Sequence, residues 1–273
     1  MTVIATIISK YCCAHASDSL LSTYNNKTYQ KIEYKKTKIV AVRNFTGAMA
    51  YWGLAKYGNW STLQWLIEQA SKSNQFATPE DFAQFISIQL NQILSGMNFK
   101  KEQDKGIGIH FTVYEKVDGI RIPELFVIRN FNGTNYNEIL PEGMRVTRET
   151  YGNLPETLQV IAPGIDHGKS ECRYIVRDYL ENGGLFMYNN GDPEMFNSAA
   201  ASIQNMFFVA AKRGILDYSD DAKTYRKIVK WSIDQVTKMQ HEFVKDGQQL
   251  VGGKTHNLSI TPIGEYMSDT DKV

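Results

Sequence analysis

Apolar residues recur along this chain in two rhythms, and the places where one gives way to the other outline its elements. Residues 3–8 form a nearly continuous apolar run and 12–16 another, the pattern of strands covered on both faces. Strands are also expected over 28–34, 38–42 and Gly47–Gly53. The period then lengthens. Leu63, Leu66, Ile67 and Ala70 fall on one face of a helix that Ser61 can cap. A second helix has a stronger start, with Thr78 at N-cap, Pro79 at the first helical position and Asp81 two residues on. Phe82, Phe85, Ile86, Leu90 and Ile93 make its apolar stripe, and Gly96 ends it.

Strand patterning returns over 107–116 and Ile120–Arg129, flanking a Val117-Asp118-Gly119 hairpin turn. Periodicity is weak over 130–163, which reads as an elaborated loop region with one strand at 158–162. Helices are expected over 170–181, 192–214 and Ala222–Phe243, then a last strand over 255–261 that stops before Pro262. Strands and helices are segregated along the chain rather than alternating. That order predicts an α+β protein in which two antiparallel sheets stack face to face with helices outside, a four-layer αββα sandwich. A single domain over 1–273, elaborated at about 130–215, accounts for the length.

Charge and cysteine usage narrow the function classes. Lys+Arg 30 against Asp+Glu 29 leaves +1, so no bulk field draws the chain to nucleic acid or to an anionic membrane. The apolar opening has no basic segment before it and no small-residue cleavage site after it, and no window reaches the ~18 apolar residues of a membrane span. Cys12, Cys13 and Cys172 are few and odd in number, which suggests a reducing compartment, and a cytoplasmic protein is expected. His15, His110, His167, His241 and His256 show no metal-ligand spacing and read as surface or satisfied core residues. The run Gly164-Ile-Asp-His-Gly168-Lys169-Ser170 has three residues between its glycines where a phosphate loop needs four, so it reads as a turn into a helix. No metal and no cofactor is expected.

Candidate chemistry lies at the N-terminus. If Met1 is trimmed, Thr2 presents a hydroxyl and a free α-amine on one residue. An α-amine has an ordinary pKa of roughly 7.7–8.0, close enough to neutrality to act as general base for its own hydroxyl. Such a nucleophile needs a cation beside it, a carboxylate to orient the cation, and a backbone N–H for the oxyanion. Lys38, Asp18 and Gly53 are candidates for those three parts. A hairpin places the start of its first strand beside the end of its second, so Thr2 and Asp18 are expected to be neighbours.

The run Thr2-Val-Ile-Ala-Thr-Ile-Ile-Ser-Lys followed by Ala14-His-Ala-Ser-Asp18-Ser19 resembles the opening of a proteasome β-type subunit and of the related bacterial protease subunit. The sixteen-residue separation of Thr2 and Asp18 matches that family. Lys38-Ile-Val-Ala-Val and Thr46-Gly-Ala-Met-Ala-Tyr-Trp-Gly53 resemble its lysine strand and small-residue strand, and Val251-Gly252-Gly253 with the strand after it resembles its ending. The resemblance implies the fold of an N-terminal-nucleophile (Ntn) hydrolase and a threonine-type peptide hydrolase. It implies Thr2 as nucleophile, Lys38 as pKa-lowering cation, Asp18 as its partner and Gly53 N–H as oxyanion donor. It also implies Tyr51 and Ala55 near the first substrate pocket and Asp246 in a late active-site loop. Peptide or protein substrates, a ring-like homo-oligomer and an unidentified ATPase regulator belong to the same implication. Some positions depart from the family. Four extra residues separate Asp18 from Lys38, making Lys36 a competitor for the cation. Val251 and Pro163-Gly164 stand where supporting serines are usual. Two other readings therefore stay open: a non-catalytic scaffold or binding subunit of the same fold, and an amidase for a small non-protein amide.

Overall fold

Strands near both ends of the chain meet in one sheet, and strands between residues 39 and 148 make another. The computed structural model describes residues 3–25, 28–33, 36–99, 106–117, 119–131, 139–149, 185–190, 206, 209, 213, 222–245 and 251–269. In chain order its elements are β1 (Ile4–Ser9), β2 (Cys13–Ser17), β3 (Leu21–Asn25), β4 (Thr28–Glu33), β5 (Ile39–Val42), β6 (Gly47–Gly53), β7 (Lys56–Tyr57) and β8 (Trp60–Ser61). There follow α1 (Thr62–Ser71), α2 (Pro79–Ser95), β9 (Ile107–Val117), β10 (Ile120–Arg129), β11 (Arg145–Arg148), β12 (Leu185–Asn190), α3 (Ala222–Phe243), β13 (His256–Ile260) and β14 (Tyr266–Ser268). The first sheet runs β12-β1-β2-β13-β14 and the second β11-β10-β9-β6-β5, with every pair antiparallel. The protein is thus α+β, built on two antiparallel sheets.

Side-chain alternation sorts the core. On β1, Val3, Ala5 and Ile7 pack with Tyr225, Val229, Ile233 and Val236 of α3, while Ile4 and Ile8 face the other way. Those two join Ile39, Ala48, Ala50, Trp52, Leu125 and Leu258 between the sheets. The far face of the second sheet, with Met49, Ile109 and Phe111, is covered by Leu66 of α1 and by Phe82, Ile86 and Leu90 of α2. Both faces of β1 are therefore covered, which is why its sequence runs apolar without alternation. Cys12 and Cys13 are buried on opposite faces, as adjacent strand residues must be.

The helix starts carry the chemistry read from their caps. Ser61 accepts from Gln64 N, and Thr78 accepts from Asp81 N at 3.1 Å while its hydroxyl donates to the Asp81 carboxylate. Short edge elements are what the pattern did not announce. β11 lies within the stretch expected to be loop, while β12 and β14 are brief strands whose pairing is decided by the neighbour they join. The expected strand at 158–162, the helix at 170–181 and nearly all of 192–214 lie outside the described residues. Among the described residues no helix is long and apolar enough to cross a membrane.

The two sheets leave no slack at Gly108. It pairs with Trp52 across β9 and β6, and a Cβ there would run into the buried indole. Gly108→Ala should destabilise the protein by about 1–3 kcal/mol through overpacking, read as a lower denaturant midpoint at unchanged slope.

Candidate active site

Antiparallel pairing brings one end of each sheet to a common edge. Ile4 and His256 both stand opposite Ser17, so the start of β1, the end of β2 and the start of β13 lie side by side. In the second sheet Tyr51 N donates to Lys38 O at 3.1 Å just before β5, and Gly53 pairs with Ile107 at the end of β6. A buried ion pair joins the two edges. Lys38 Nζ lies 2.8 Å from Asp18 Oδ1, and both side chains are fully buried.

Asp18 is the hub. Its Oδ1 accepts from Val3 N at 3.0 Å as well as from Lys38, and its Oδ2 accepts from Gly252 N at 3.3 Å. Lys38 Nζ also donates to Leu20 O at 2.8 Å. The segments around Asp18 and Gly252 are zipped by Leu20 N to Gly252 O at 3.0 Å and by Lys254 N to Ser19 Oγ at 2.8 Å. Burial pushes the Lys38 ammonium below its ordinary range, and the Asp18 carboxylate opposes that without cancelling it.

Of the residues singled out in the sequence, Asp18 and Lys38 are in direct contact, with Val3, the neighbour of Thr2, on the same carboxylate. Lys36, the alternative cation, is exposed. Gly53 has φ +84, a left-handed conformation, and a Cβ there would meet the Gly106 carbonyl, so the position favours glycine twice over. Tyr51 is buried in the cluster beneath α1 and α2, and Ala55 packs against the same cluster. Thr2 and Asp246 lie outside the described residues. A groove of about 520 Å³ opens between β5 and α1, with Thr37 and Ile39, the two neighbours of Lys38, in its wall. Among the described residues no group of three His, Cys, Asp or Glu side chains is placed to hold a metal ion.

Sequence reasoning missed the polar side chains between the sheets. His256 is 6% exposed, yet among the described residues neither ring nitrogen has a hydrogen-bond partner, and the Ser17 hydroxyl opposite it has none there either. Burial, then Lys254 and Lys38, push this imidazole below its ordinary range against the pull of Asp18. Its position two residues before Leu258 on the inward face of β13 was the available signal. Deeper in, His15 and His110 are fully buried and hydrogen-bonded to Thr6, Thr112 and Asn190. Burial holds His15 down to about 3, and His110 is held well below its ordinary range by burial, with His15 and Arg129 adding to the effect.

Removing one member of a buried ion pair strands the other. Lys38→Met should cost about 3–5 kcal/mol in chemical denaturation, and pairing it with Asp18→Leu should cost less than the two single changes added together. Neutral buried histidines also fix the acid side of the stability curve. Unfolded imidazoles charge near 6.5 and His15 in the fold only near 3, so stability is complete above pH 6.5 and falls as pH drops from there towards 3. Denaturant midpoints across that range should show the fall, and His15→Gln should flatten it.

No protein-family model and no curated protein matches the chain, so its chemistry is read from geometry.

Proposed function

We propose that this chain is an N-terminal threonine hydrolase of the proteasome-like Ntn class, acting on amide bonds of peptide or protein substrates. One observation carries the reading: a fully buried Lys38–Asp18 pair whose carboxylate also accepts the N–H of Val3, the residue next to Thr2. A buried ion pair is a costly way to hold two sheets together, and its bond to Val3, which follows a threonine that can become N-terminal, gives that cost a use. Helices covering the outer faces of two stacked antiparallel sheets are compatible with the same reading.

In this reading the mature chain begins at Thr2. Its α-amine takes the hydroxyl proton as Oγ bonds to the substrate carbonyl carbon, and the Gly53 N–H receives the developing oxyanion. The C–N bond then breaks. The ammonium returns its proton to the leaving amine and leaves an acyl ester on Thr2. A water deprotonated by the same amine cleaves the ester and restores the hydroxyl. Lys38 lowers the amine's proton affinity, and Asp18 favours the charged form of Lys38 against the effect of its burial. A ring of identical subunits enclosing the sites belongs to the proposal.

A second reading, a non-catalytic subunit of the same fold, is favoured by Val251. It is buried among apolar side chains of the α3 cluster, where the family resemblance places a supporting hydroxyl.

Intact mass followed by a β-lactone electrophile separates the two. The hydrolase reading expects loss of Met1 and a single adduct on the Thr2 peptide, abolished in Thr2→Ala. Lys38→Arg, which keeps a cation with different reach, should slow labelling by on the order of 100-fold while leaving the protein folded. A retained Met1 overturns the hydrolase reading, because the base would then be an amide nitrogen.

A further inference from the structure

A buried hydroxyl in the middle of the proposed nucleophile strand reaches the opposite sheet. Thr6 Oγ1, on the inward face of β1, lies 2.9 Å from His110 Nδ1 and 3.0 Å from His15 Nδ1. His15 belongs to the adjacent strand β2, whereas His110 belongs to β9 of the facing sheet. The chain of contacts continues at both ends: His15 Nε2 is 2.7 Å from Thr112 Oγ1, and His110 Nε2 is 2.7 Å from Asn190 Nδ2. All of these side chains except the half-buried Asn190 are fully buried.

Proton counting constrains this row. A threonine hydroxyl has one proton to give, and a neutral imidazole has one N–H. Burial keeps both imidazoles neutral. With no other acceptor for the Thr6 proton among the described residues, both Nδ1 atoms and that proton are satisfied together only if one Nδ1 carries a proton and the other does not. The Asn190 amide then sets the direction. Its N–H donates to His110 Nε2, His110 Nδ1–H donates to Thr6, Thr6 donates to His15 Nδ1, and His15 Nε2–H donates to Thr112. Turning the amide over reverses every arrow and leaves the two tautomers opposed.

The row has mechanical content because of where Thr6 sits. Ile4 and Ile8, its neighbours on the same face, make apolar contacts that tolerate small slides. A hydrogen bond to a ring nitrogen is directional and weakens steeply as it bends. The far end of β1 is tied to β9 by Tyr114 Oη donating to Ser9 O at 3.0 Å. Of these two side-chain ties on β1, Thr6 is the one nearer the N-terminus, four positions after Thr2 in the sequence. We propose that Thr6 is a positioning residue, its hydroxyl shared between His15 and His110 in opposite tautomers, and that this clamp sets where the N-terminal threonine stands relative to Lys38 and Gly53. The inference rests on the threonine-hydrolase reading and adds residues that touch neither substrate nor nucleophile.

Two measurements test it. Imidazole ¹⁵N spectra of wild-type protein at neutral pH should show one of the two buried histidines as the Nδ1–H tautomer and the other as Nε2–H. The same tautomer on both, or a charged ring on either, overturns the clamp. The rate of β-lactone labelling of Thr2 is then compared in Thr6→Val, Thr6→Ser and Thr6→Cys, with folding followed by near-UV circular dichroism. Thr6→Val should slow labelling about tenfold or more, Thr6→Ser should stay within about threefold of wild type, and Thr6→Cys, a weaker donor, should fall between. If Thr6→Val does not fold, the Ser and Cys variants decide, and equal rates in both overturn the inference. Folded Thr6→Val labelled at the wild-type rate also overturns it. Wild-type protein that never labels overturns the threonine reading instead, and the positioning role with it.

Discussion

The buried Lys38–Asp18 pair is the contact on which the arrangement of this molecule turns. Apolar packing between two sheets fixes their separation but is weakly directional, and it leaves their relative slide loosely determined. An ammonium 2.8 Å from a carboxylate, with both fully buried, has no tolerance for slide, because each charge left alone would face the full penalty of desolvation. The same carboxylate takes the N–H groups of Val3 and Gly252, so β1, β5 and the approach to β13 are indexed to one group. Three distant parts of the chain acquire a common origin there.

The polar content of the inter-sheet layer follows the same logic. Thr6, His15, His110 and Thr112 occupy positions that apolar residues could fill, and their hydrogen bonds run both along and across the sheets. Fully satisfied networks of this kind specify one alignment over its neighbours, since a shift of a single residue would orphan several groups at once. His256 and Ser17 are different. They are buried at the edge beside Lys38 and Asp18 with no partner among the described residues, and unpaired polar groups cost stability. The histidine row in the middle of this layer holds register, while His256 and Ser17 lie beside the proposed chemistry.

Elements with a strong local signal were legible from the chain alone. The cap at Thr78, the stripe of α2, the long hairpin of β9 and β10 and the amphipathic α3 follow from short-range pattern, and the structure has each of them. Elements formed only by pairing were not. The four residues of β11 have no apolar alternation, and they form a strand because β10 offers Phe126–Arg129 as a template. β12 is the same case on the other sheet, completed by β1. The histidines were equally opaque. A lone His within an apolar strand looks the same whether it is paired, as His15 is, or without a partner among the described residues, as His256 is, because the difference lies in what the facing strand brings.

Spacing along the chain by itself determined which residue types were available near each strand end: a carboxylate closing β2, a lysine opening β5 and a glycine closing β6. It also determined the α+β class, since segregated strands and helices leave few ways to bury one face of each. Only the tertiary structure decided that Lys38 rather than the exposed Lys36 reaches Asp18. It alone decided that Gly53 needs a left-handed backbone against Gly106, and that Thr6 hangs between two histidines. The reason is physical: propensity and periodicity act over a few residues, whereas a buried charge or hydroxyl is assigned its partner by how two sheets dock, and docking is a property of both sheets at once.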